Sequence, residues 1–340
     1  MTFSVSLAIK YLLAYGAFKS GILKKRIQCL PPLIVGYHRI ISPSQAGHFL
    51  QPGMFVTPET FERHMAFLAK NFNVIPLEEL ITGIKPKAQK KTVCVITFDD
   101  GWSDFYKNAY PVLSRLSLPA TVFLPTNFIG SNQSFWTDTL SRMLCRERVF
   151  PRALPAADPA NAAYVHSILF CRSKDERRVE EAISRLKPLP PGQRDAVLNA
   201  LSAYFEEAPG LASRHFLNWD EIAAMRDSGI ISFGSHTASH PILTTITEPQ
   251  IVDELEQSRA ELLSHGAADP SFVPFCYPNG NYSRNIETLV QQAGYSAAVT
   301  TQPGPISLPA DQYRLCRTLV HQDISSNIPL LAARISHFFG

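Results

Sequence analysis

Apolar and polar positions follow two different periods along this chain. From residue 31 onward, short continuous apolar runs are separated by stretches whose apolar residues recur at helical spacing. Short continuous apolar runs are typical of strands buried on both faces of a parallel sheet. The predicted strands are Leu33–Tyr37, Thr92–Phe98, Ala120–Leu124, Ile231–Gly234, Ser271–Cys276, Ala297–Thr300 and Arg317–Leu319. Strands that alternate with helices predict parallel βαβ units in an α/β fold, closed into a barrel or left open.

The helices between these strands carry recognisable start signals. Thr57 suits an N-cap and Pro58 the first helical position, and Phe61, Met65 and Leu68 then recur at helical spacing. Further helices are predicted at Tyr110–Leu116, Asp220–Ser228, Pro249–Leu263 and Arg284–Ala293.

The strand pattern is absent from residues 131–217. Two charged helical segments occur there, near 174–186 and 194–205. We interpret 131–217 as a mainly helical insertion on the loop side of one barrel domain that spans residues 31–340.

Residues 1–30 are predicted to form an N-terminal amphipathic helix. The run from residue 3 to residue 23 is largely apolar, but Lys10 and Lys19 interrupt it, and a lysine at membrane depth is costly. A helical wheel places on one side Ser6, Lys10, Ala17, Ser20 and Lys24. The helix either docks on its own domain or makes a peripheral membrane contact through residues 3–23. We therefore expect a cytoplasmic protein with a possible membrane association.

The composition excludes several classes of protein. Hydrophobic residues make up 45% of the 340 residues, enough for a sizeable core, so a wholly disordered chain is excluded. The net charge of +3 without a basic stripe argues against a nucleic-acid partner. Six cysteines without CxxC spacing do not predict a zinc ribbon or a redox motif, and their scatter favours a reducing compartment.

The first candidate for chemistry ends the strand Thr92–Phe98. Asp99 and Asp100 follow it directly, and Gly101 permits a turn. Functional side chains of parallel α/β proteins lie at the carboxyl ends of strands. Two carboxylates in one pocket repel each other unless a cation neutralises one of them. Asp-Asp-Gly also forms ordinary turns, so this motif alone leaves the function open.

The second candidate is Ser235-His236-Thr237-Ala238-Ser239-His240, which follows another strand. His236 and His240 share one face if the turn is helical, and two imidazoles so placed can bind one divalent ion. With one aspartate they form a three-ligand set that leaves positions open for water and substrate, as catalytic zinc sites do. A second carboxylate kept off the ion can act as a general base.

Together the two motifs resemble those of the polysaccharide deacetylases, also called NodB-homology proteins or carbohydrate esterase family four. The supporting motifs are Tyr37-His38-Arg39-Ile40, Asn218-Trp219-Asp220-Glu221-Ile222 and Phe275-Cys276-Tyr277-Pro278-Asn279-Gly280. The resemblance runs from about residue 31 to 335, with 131–217 least covered. It implies a deformed (β/α) barrel and metal-dependent removal of acetyl groups, N-acetyl before O-acetyl, from a sugar or glycan in envelope or surface polysaccharide biosynthesis.

The resemblance also implies roles for single residues. Asp99 matches the general base, and Asp100, His236 and His240 match the ligands of one divalent ion, with zinc expected and cobalt, nickel or manganese also compatible. The residues expected to bind substrate are Tyr277, Pro278, Asn279 and Trp136. The loop Pro278–Gly280 is expected to form a groove wall and to present a backbone N–H group to the oxyanion, and Trp136 to stack on a sugar face.

The chain departs from the family pattern at two positions of the third motif. Cys276 stands where many members have the arginine that orients the base, and Asn279 stands where they have an aromatic residue. We expect Arg317, or otherwise Arg314, to supply the missing guanidinium within hydrogen-bonding reach of Asp99. The bidentate fork of arginine suits a carboxylate better than lysine does.

Two histidines are candidates for the general acid. The segment Leu319-Val320-His321 resembles the family's final motif, which makes His321 one candidate. His38, at the end of the first strand, is the other candidate. Two other functions also stay open: a catalytically silent barrel that binds glycan or scaffolds an assembly, and a deacylase for a non-sugar amide or an O-acyl ester. The full ligand set with a spare carboxylate favours the sugar deacetylase.

Overall fold

The computed structural model describes residues 5–42, 53–83, 91–145, 159–170, 175–205, 214–307 and 310–339. The strands are β1 Leu33–Tyr37, β2 Arg39–Ile40, β3 Phe55–Val56, β4 Asn73–Val74, β5 Val93–Phe98, β6 Ala120–Leu124, β7 Ile231–Ser235, β8 Pro274–Cys276, β9 Ala297–Val299 and β10 Thr318–Leu319. The helices are α1 Val5–Lys19, α2 Ile22–Gln28, α3 Pro58–Asn71, α4 Leu77–Thr82, α5 Tyr110–Arg115, α6 Trp136–Cys145, α7 Pro159–Leu169, α8 Asp175–Leu186, α9 Pro191–Phe205, α10 Trp219–Asp227, α11 Glu248–Ser264, α12 Arg284–Gln292, α13 Gln322–Ser325 and α14 Ile328–Ile335.

One parallel sheet forms the centre of the molecule. Its strand order is β10-β1-β5-β6-β7-β8-β9, and β4 pairs with the start of β5 on the edge opposite β1. Every residue of β1, β5 and β6 is buried, as their continuous apolar runs predict. The pair β2 and β3 forms a separate two-stranded sheet.

The two ends of this sheet approach each other through the segment that leads into β10. Val299 of β9 and Leu315 form a parallel bridge, and the N–H group of Thr300 donates to the Leu315 carbonyl at 2.9 Å. The N–H group of Arg317 donates to the Gln302 carbonyl at 2.9 Å. The sheet therefore curls into the deformed (β/α) barrel that the sequence predicts, and the fold class is confirmed.

Local signals account for most element boundaries. Helix α3 begins as predicted: the Thr57 hydroxyl accepts the N–H of Thr60 at 3.3 Å, and the helix ends at Asn71. Strand β8 is shorter than predicted because the Asp269 carboxylate accepts the N–H of Ser271 at 2.8 Å and holds the preceding residues in a turn.

Helices α6 to α9 pack around a small core of their own. That core contains Leu140, Met143, Val165, Val179, Ile183, Leu186, Val197 and Leu201. Helices α6 and α7 were not anticipated individually. All residues of this core lie within residues 131–217, and the described part of that range contains helices and no strand.

The N-terminal helices contact the end of the chain. Ala14 and Ala17 of α1 are buried, and α1 packs against α14. The helical wheel placed Ala17 on the polar side, and this prediction is wrong. The two alanines face the domain, because a small side chain lets two helices approach closely. Leu12 is 67% exposed and Leu13 55%. Among the described residues, no helix combines the length and apolar character needed to cross a membrane.

Candidate active site

The predicted site residues converge at the carboxyl ends of neighbouring strands. His38 follows β1, Asp99 and Asp100 follow β5, and His236 follows β7. The loop Pro278–Gly280 follows β8. Since these parallel strands end at one edge of the sheet, residues far apart in sequence lie in one pocket.

The turn after β5 directs both carboxylates into the pocket. Asp100 has φ of 73° and Gly101 has φ of 62°, so the backbone is left-handed at two successive residues. Asp99 and Asp100 are each 3% exposed. The indole N–H of Trp102 donates to Asp100 Oδ2 at 3.1 Å and fixes this carboxylate.

The histidine motif forms a loop and not the helical turn that its spacing suggested. Thr237 and His240 have positive φ values of 66° and 58°. The Glu254 carboxylate accepts the N–H groups of Ala238 and Ser239, each at 2.8 Å, and holds this loop. The two imidazoles meet nevertheless, with 3.2 Å between the Nε2 atoms of His236 and His240.

Asp100, His236 and His240 have the geometry of a metal ligand set. Asp100 Oδ1 lies 3.5 Å from Nε2 of each imidazole. Ligands bound tetrahedrally at about 2.1 Å from a cation lie about 3.4 Å from one another. Nδ1–H of His236 donates to the Cys276 carbonyl at 2.7 Å, so the Nε2 lone pair faces the other two ligands. The residues therefore fit a divalent cation.

Electrostatics favour the same conclusion. Burial and the neighbouring Asp99 raise the pKa of Asp100 to about 8, which reflects an excess of negative charge that a cation would relieve. Burial lowers the pKa of His236 to about 4, so this imidazole is neutral at pH 7, the form that binds metal. A second cluster, Asp99 with His236 and Cys276, fits less well because burial raises the pKa of the Cys276 thiol far above its ordinary range.

Arg317 forms the predicted contact with Asp99. Its Nη1 and Nη2 atoms each donate to one oxygen of the Asp99 carboxylate at 2.7 Å, and the arginine is fully buried. Its Nε–H donates to the Thr300 carbonyl at 2.8 Å, which fixes the plane of the fork. Arg314 pairs with Glu287 at 2.6 Å instead.

The ion pair sets the ionisation of Asp99. Burial alone would raise the pKa of this carboxyl, but the charge and hydrogen bonds of Arg317 outweigh burial and hold the pKa well below its usual range. The thiol of Cys276 lies 3.2 Å from Arg317 Nη2. Gly36 leaves room for the Leu319 side chain beside the fork, since a Cβ atom there would lie only 2.7 Å from Leu319 Cδ2.

The two histidines proposed as general acid differ in their distance from the base. His38 Nε2 lies 3.8 Å from Asp99 Oδ2. Burial lowers the pKa of His38, and Asp99 opposes that effect. His321 Nδ1 lies 3.4 Å from an oxygen of Asp323. A positive charge on His321 lowers the pKa of His38.

The expected substrate-binding residues have three different surroundings. Tyr277 is buried, and its hydroxyl donates to the Tyr313 carbonyl at 3.0 Å, so its side chain belongs to the core and its contact with substrate stays a prediction. The Pro278 side chain is also buried. Asn279 has φ of 57°, and its Oδ1 accepts Lys187 Nζ at 2.6 Å. Trp136 is half-buried under the Arg194 guanidinium, 4.9 Å from the ring centre.

A family model described as polysaccharide deacetylase matches residues 86–149 and 195–298. The chain belongs to the polysaccharide deacetylase family. The matched segments contain Asp99, Asp100, His236 and His240. The unmatched stretch 150–194 lies within the predicted insertion, and Arg317 lies beyond the second segment.

Individual relatives agree with this family. YxkH of Bacillus subtilis, assigned as a polysaccharide deacetylase, is 23% identical over 86% of this chain and 73% of its own length. The poly-beta-1,6-N-acetyl-D-glucosamine N-deacetylase of Staphylococcus epidermidis is 32% identical over 32% of this chain and 41% of its own length. The structure of IcaB from Ammonifex degensii superposes with a TM-score of 0.56 at 16% identity, covering 91% of this chain and 98% of that one, and shows the same fold.

Three residues that position this deacetylase site were not found in the sequence. Trp102 holds Asp100, Glu254 holds the histidine loop, and Phe135 packs on His240 with 4.5 Å between ring centres. Trp102 stands one residue past the Asp-Asp-Gly motif, which was an available signal. Glu254 and Phe135 reach the site from distant segments, and nothing local in the sequence marks them.

Proposed function

We propose that this chain is a metal-dependent deacetylase that hydrolyses the N-acetyl group of a hexosamine in a surface polysaccharide or its precursor. The observation that carries the proposal is the cluster of Asp100, His236 and His240 beside the Asp99–Arg317 ion pair. The N-acetylglucosamine polymer named for the staphylococcal relative supports this substrate class.

In this proposal Asp100, His236 and His240 hold the cation, for which zinc is the first candidate. A bound divalent cation would stabilise negative charge on the acetyl carbonyl oxygen and acidify water. The Trp102 indole and the Cys276 carbonyl keep the ligand atoms oriented.

Asp99 takes a proton from the water that attacks the acetyl carbon. Arg317 keeps this carboxylate ionised and in a fixed rotamer, so it stays beside the ligand cluster without joining it. The C–N bond then breaks, acetate leaves, and the sugar nitrogen takes a proton, so each acetate released consumes one water. At 3.8 Å from Asp99, His38 is the nearer of the two candidate proton donors.

Oxyanion binding by the loop after β8 stays a proposal. The N–H groups of Tyr277 and Gly280 donate to the carbonyls of Val299 and Tyr277, at 3.3 and 2.8 Å. An oxyanion donor from this loop would therefore be the N–H group of Asn279.

The decisive experiment separates the two adjacent carboxylates. Asp99→Asn should retain metal and lose at least 99% of acetate release, because it removes the base. Asp100→Asn should lose metal together with activity, as should His236→Ala and His240→Ala. Mass spectrometry measures the metal content of each variant, and acetate release from N-acetylglucosamine oligomers measures its activity. Equal loss of metal in the two Asn variants would contradict the division of roles, and near-wild-type activity of either His variant at verified low metal would contradict the site.

We also propose that α1 lies on an anionic membrane surface, on the cytoplasmic side. Its exposed apolar side chains are Ile9, Tyr11, Leu12, Leu13 and Tyr15. The first acidic residue of the chain is Glu59, whereas Lys10, Lys19, Lys24 and Lys25 precede it. An apolar helix side flanked only by positive charge suits a bilayer with anionic lipids.

Vesicle binding tests this part of the proposal. The wild-type chain should sediment with phosphatidylglycerol-containing vesicles and much less with pure phosphatidylcholine vesicles. The double variant Leu12→Glu, Leu13→Glu should lose most of this binding. Phe170→Glu, at a residue 53% exposed on the insertion, is the matched control and should bind like wild type. Equal binding by the double variant and the control would overturn the proposed contact.

A further inference from the structure

The insertion contributes a buried arginine with two unpaired N–H donors. Arg194 of α9 is 6% exposed, and its Nε and Nη1 atoms have no hydrogen-bond partner among the described residues. Its guanidinium lies over the Trp136 ring at 4.9 Å, a cation–π contact that fixes the plane of the fork without using its N–H groups.

This arginine lies beside the deacetylase site. Trp136 directly follows Phe135, whose ring packs on His240 at 4.5 Å. A second cation of the insertion, Lys187, reaches the loop after β8, where Nζ donates to Asn279 Oδ1 at 2.6 Å.

An unpaired buried guanidinium is unfavourable in the free protein. Each buried donor without an acceptor loses its hydrogen bond to water without a replacement, and arginine cannot avoid this loss by giving up its proton. The exposed carboxylate of Asp195 attracts the positive charge of Arg194, but it accepts no hydrogen bond from Nε or Nη1. A ligand with anionic oxygens would supply the missing acceptors, since the arginine fork matches phosphate and carboxylate groups bidentately.

We propose that Arg194, positioned by Trp136 and assisted by Lys187, binds an anionic oxygen group of the substrate next to the sugar that carries the N-acetyl group. This inference rests on the proposed function and deepens it: the preferred substrate is an acidic glycan or glycan precursor. The anionic group is a phosphate, as in a sugar phosphate or diphosphate, or the carboxylate of a neighbouring uronic acid. Trp136 then serves to hold the arginine and not to stack on a sugar.

A binding experiment tests the subsite independently of catalysis. Calorimetry on the metal-loaded protein with inorganic pyrophosphate and with glucuronate should show binding of at least one probe, and which one binds identifies the anionic group. Arg194→Met should weaken that binding at least tenfold, and Arg194→Lys less. Arg185→Met, which removes an exposed arginine from the same insertion, should bind like wild type. Binding that persists in Arg194→Met but disappears in metal-free Asp100→Asn would assign the anion to the metal ligands and overturn the subsite.

Kinetics with matched substrates complete the test. In Arg194→Met, KM should rise at least tenfold for N-acetylglucosamine 1-phosphate or an N-acetylglucosamine–glucuronate disaccharide, with little change for a neutral N-acetylglucosamine dimer. The melting temperature should stay equal or rise, because no hydrogen bond of Nε or Nη1 is lost. An equal loss on charged and neutral substrates, or a lower melting temperature, would indicate a structural role. If no acetate is released from any substrate but the probes bind through Arg194, the proposed reaction is wrong and the subsite stands.

Discussion

At the scale of single residues, the site depends on which charges are paired. Asp99 and Asp100 are neighbours with equal burial, yet the pKa of the first lies below its usual range and that of the second rises to about 8. The difference comes from Arg317, which binds both oxygens of Asp99 and neither of Asp100. Opposite shifts on adjacent carboxyls are the electrostatic basis of their proposed roles.

Arg317→Lys tests this pairing. Lysine cannot form the bidentate contact, so Asp99 gains rotamer freedom and its pKa rises toward its usual range. We expect turnover to fall about 100-fold or more, with metal retained and the acidic limb of the pH–rate profile moved to higher pH.

Arg314→Lys is the matched control for this substitution, because Arg314 pairs with Glu287 away from Asp99. It should keep wild-type turnover and an unchanged pH profile. Loss of metal from Arg317→Lys, or an unmoved acidic limb, would contradict a role for Arg317 in setting the ionisation of Asp99.

At the scale of elements, the histidine loop depends on helix α11. The loop contains two left-handed non-glycine residues, a conformation that costs about 1–2 kcal/mol per residue. Glu254 compensates by accepting the N–H groups of Ala238 and Ser239 and the Ser239 hydroxyl. The position of His240 is therefore set by a residue fourteen places further along the chain.

Glu254→Gln should weaken metal binding by about 10- to 100-fold, the usual effect of disturbing a residue that orients ligands. A chelator competition titration measures the change, and the melting temperature of the metal-free protein should fall only slightly. Glu256→Gln, on the exposed side of the same helix, should leave metal affinity unchanged. Unchanged affinity in Glu254→Gln would show that the loop holds its shape without this carboxylate.

The elements also show where sequence reasoning was effective. Continuous apolar runs predicted β1 and β6 to the residue, and capping signals predicted α3, because those features depend on neighbouring residues. The spacing of the two histidines placed them on one face only if the turn was helical. The true shape of the histidine loop depends on Glu254 and on the Thr237 hydroxyl, which accepts the N–H of His240 at 3.0 Å, and spacing does not encode either contact.

At the scale of the whole molecule, His64 links three elements. It is completely buried on α3, its Nε2 lies 2.7 Å from the Ser325 carbonyl of α13, and its Nδ1 lies 3.3 Å from the Tyr37 hydroxyl of β1. Its partners are remote in the chain, so nothing local in the sequence marks it as buried. Burial lowers its pKa to about 4.

This histidine predicts acid sensitivity of folding. The folded state holds His64 neutral, whereas the unfolded chain binds a proton near pH 6.5, so its contribution is fully present above that pH and is lost as pH falls toward 4. The difference corresponds to about 3 kcal/mol of unfolding free energy. Denaturant titrations of wild type and His64→Gln between pH 7 and pH 4 should differ in slope, and exposed His265→Gln should behave like wild type. Parallel curves for wild type and His64→Gln would exclude this coupling.

The closure of the barrel affects how this chain compares with other members of its family. The guanidinium that orients the base enters from the segment before β10, whereas Cys276, the last residue of β8, stands where the family resemblance led us to expect that arginine and lies 3.2 Å from the same fork. The end of β8 and the segment before β10, which are not adjacent in the strand order, therefore both reach the same point beside Asp99. A comparison by aligned columns scores such a chain as having lost its arginine, whereas a comparison by atomic position finds the ion pair intact.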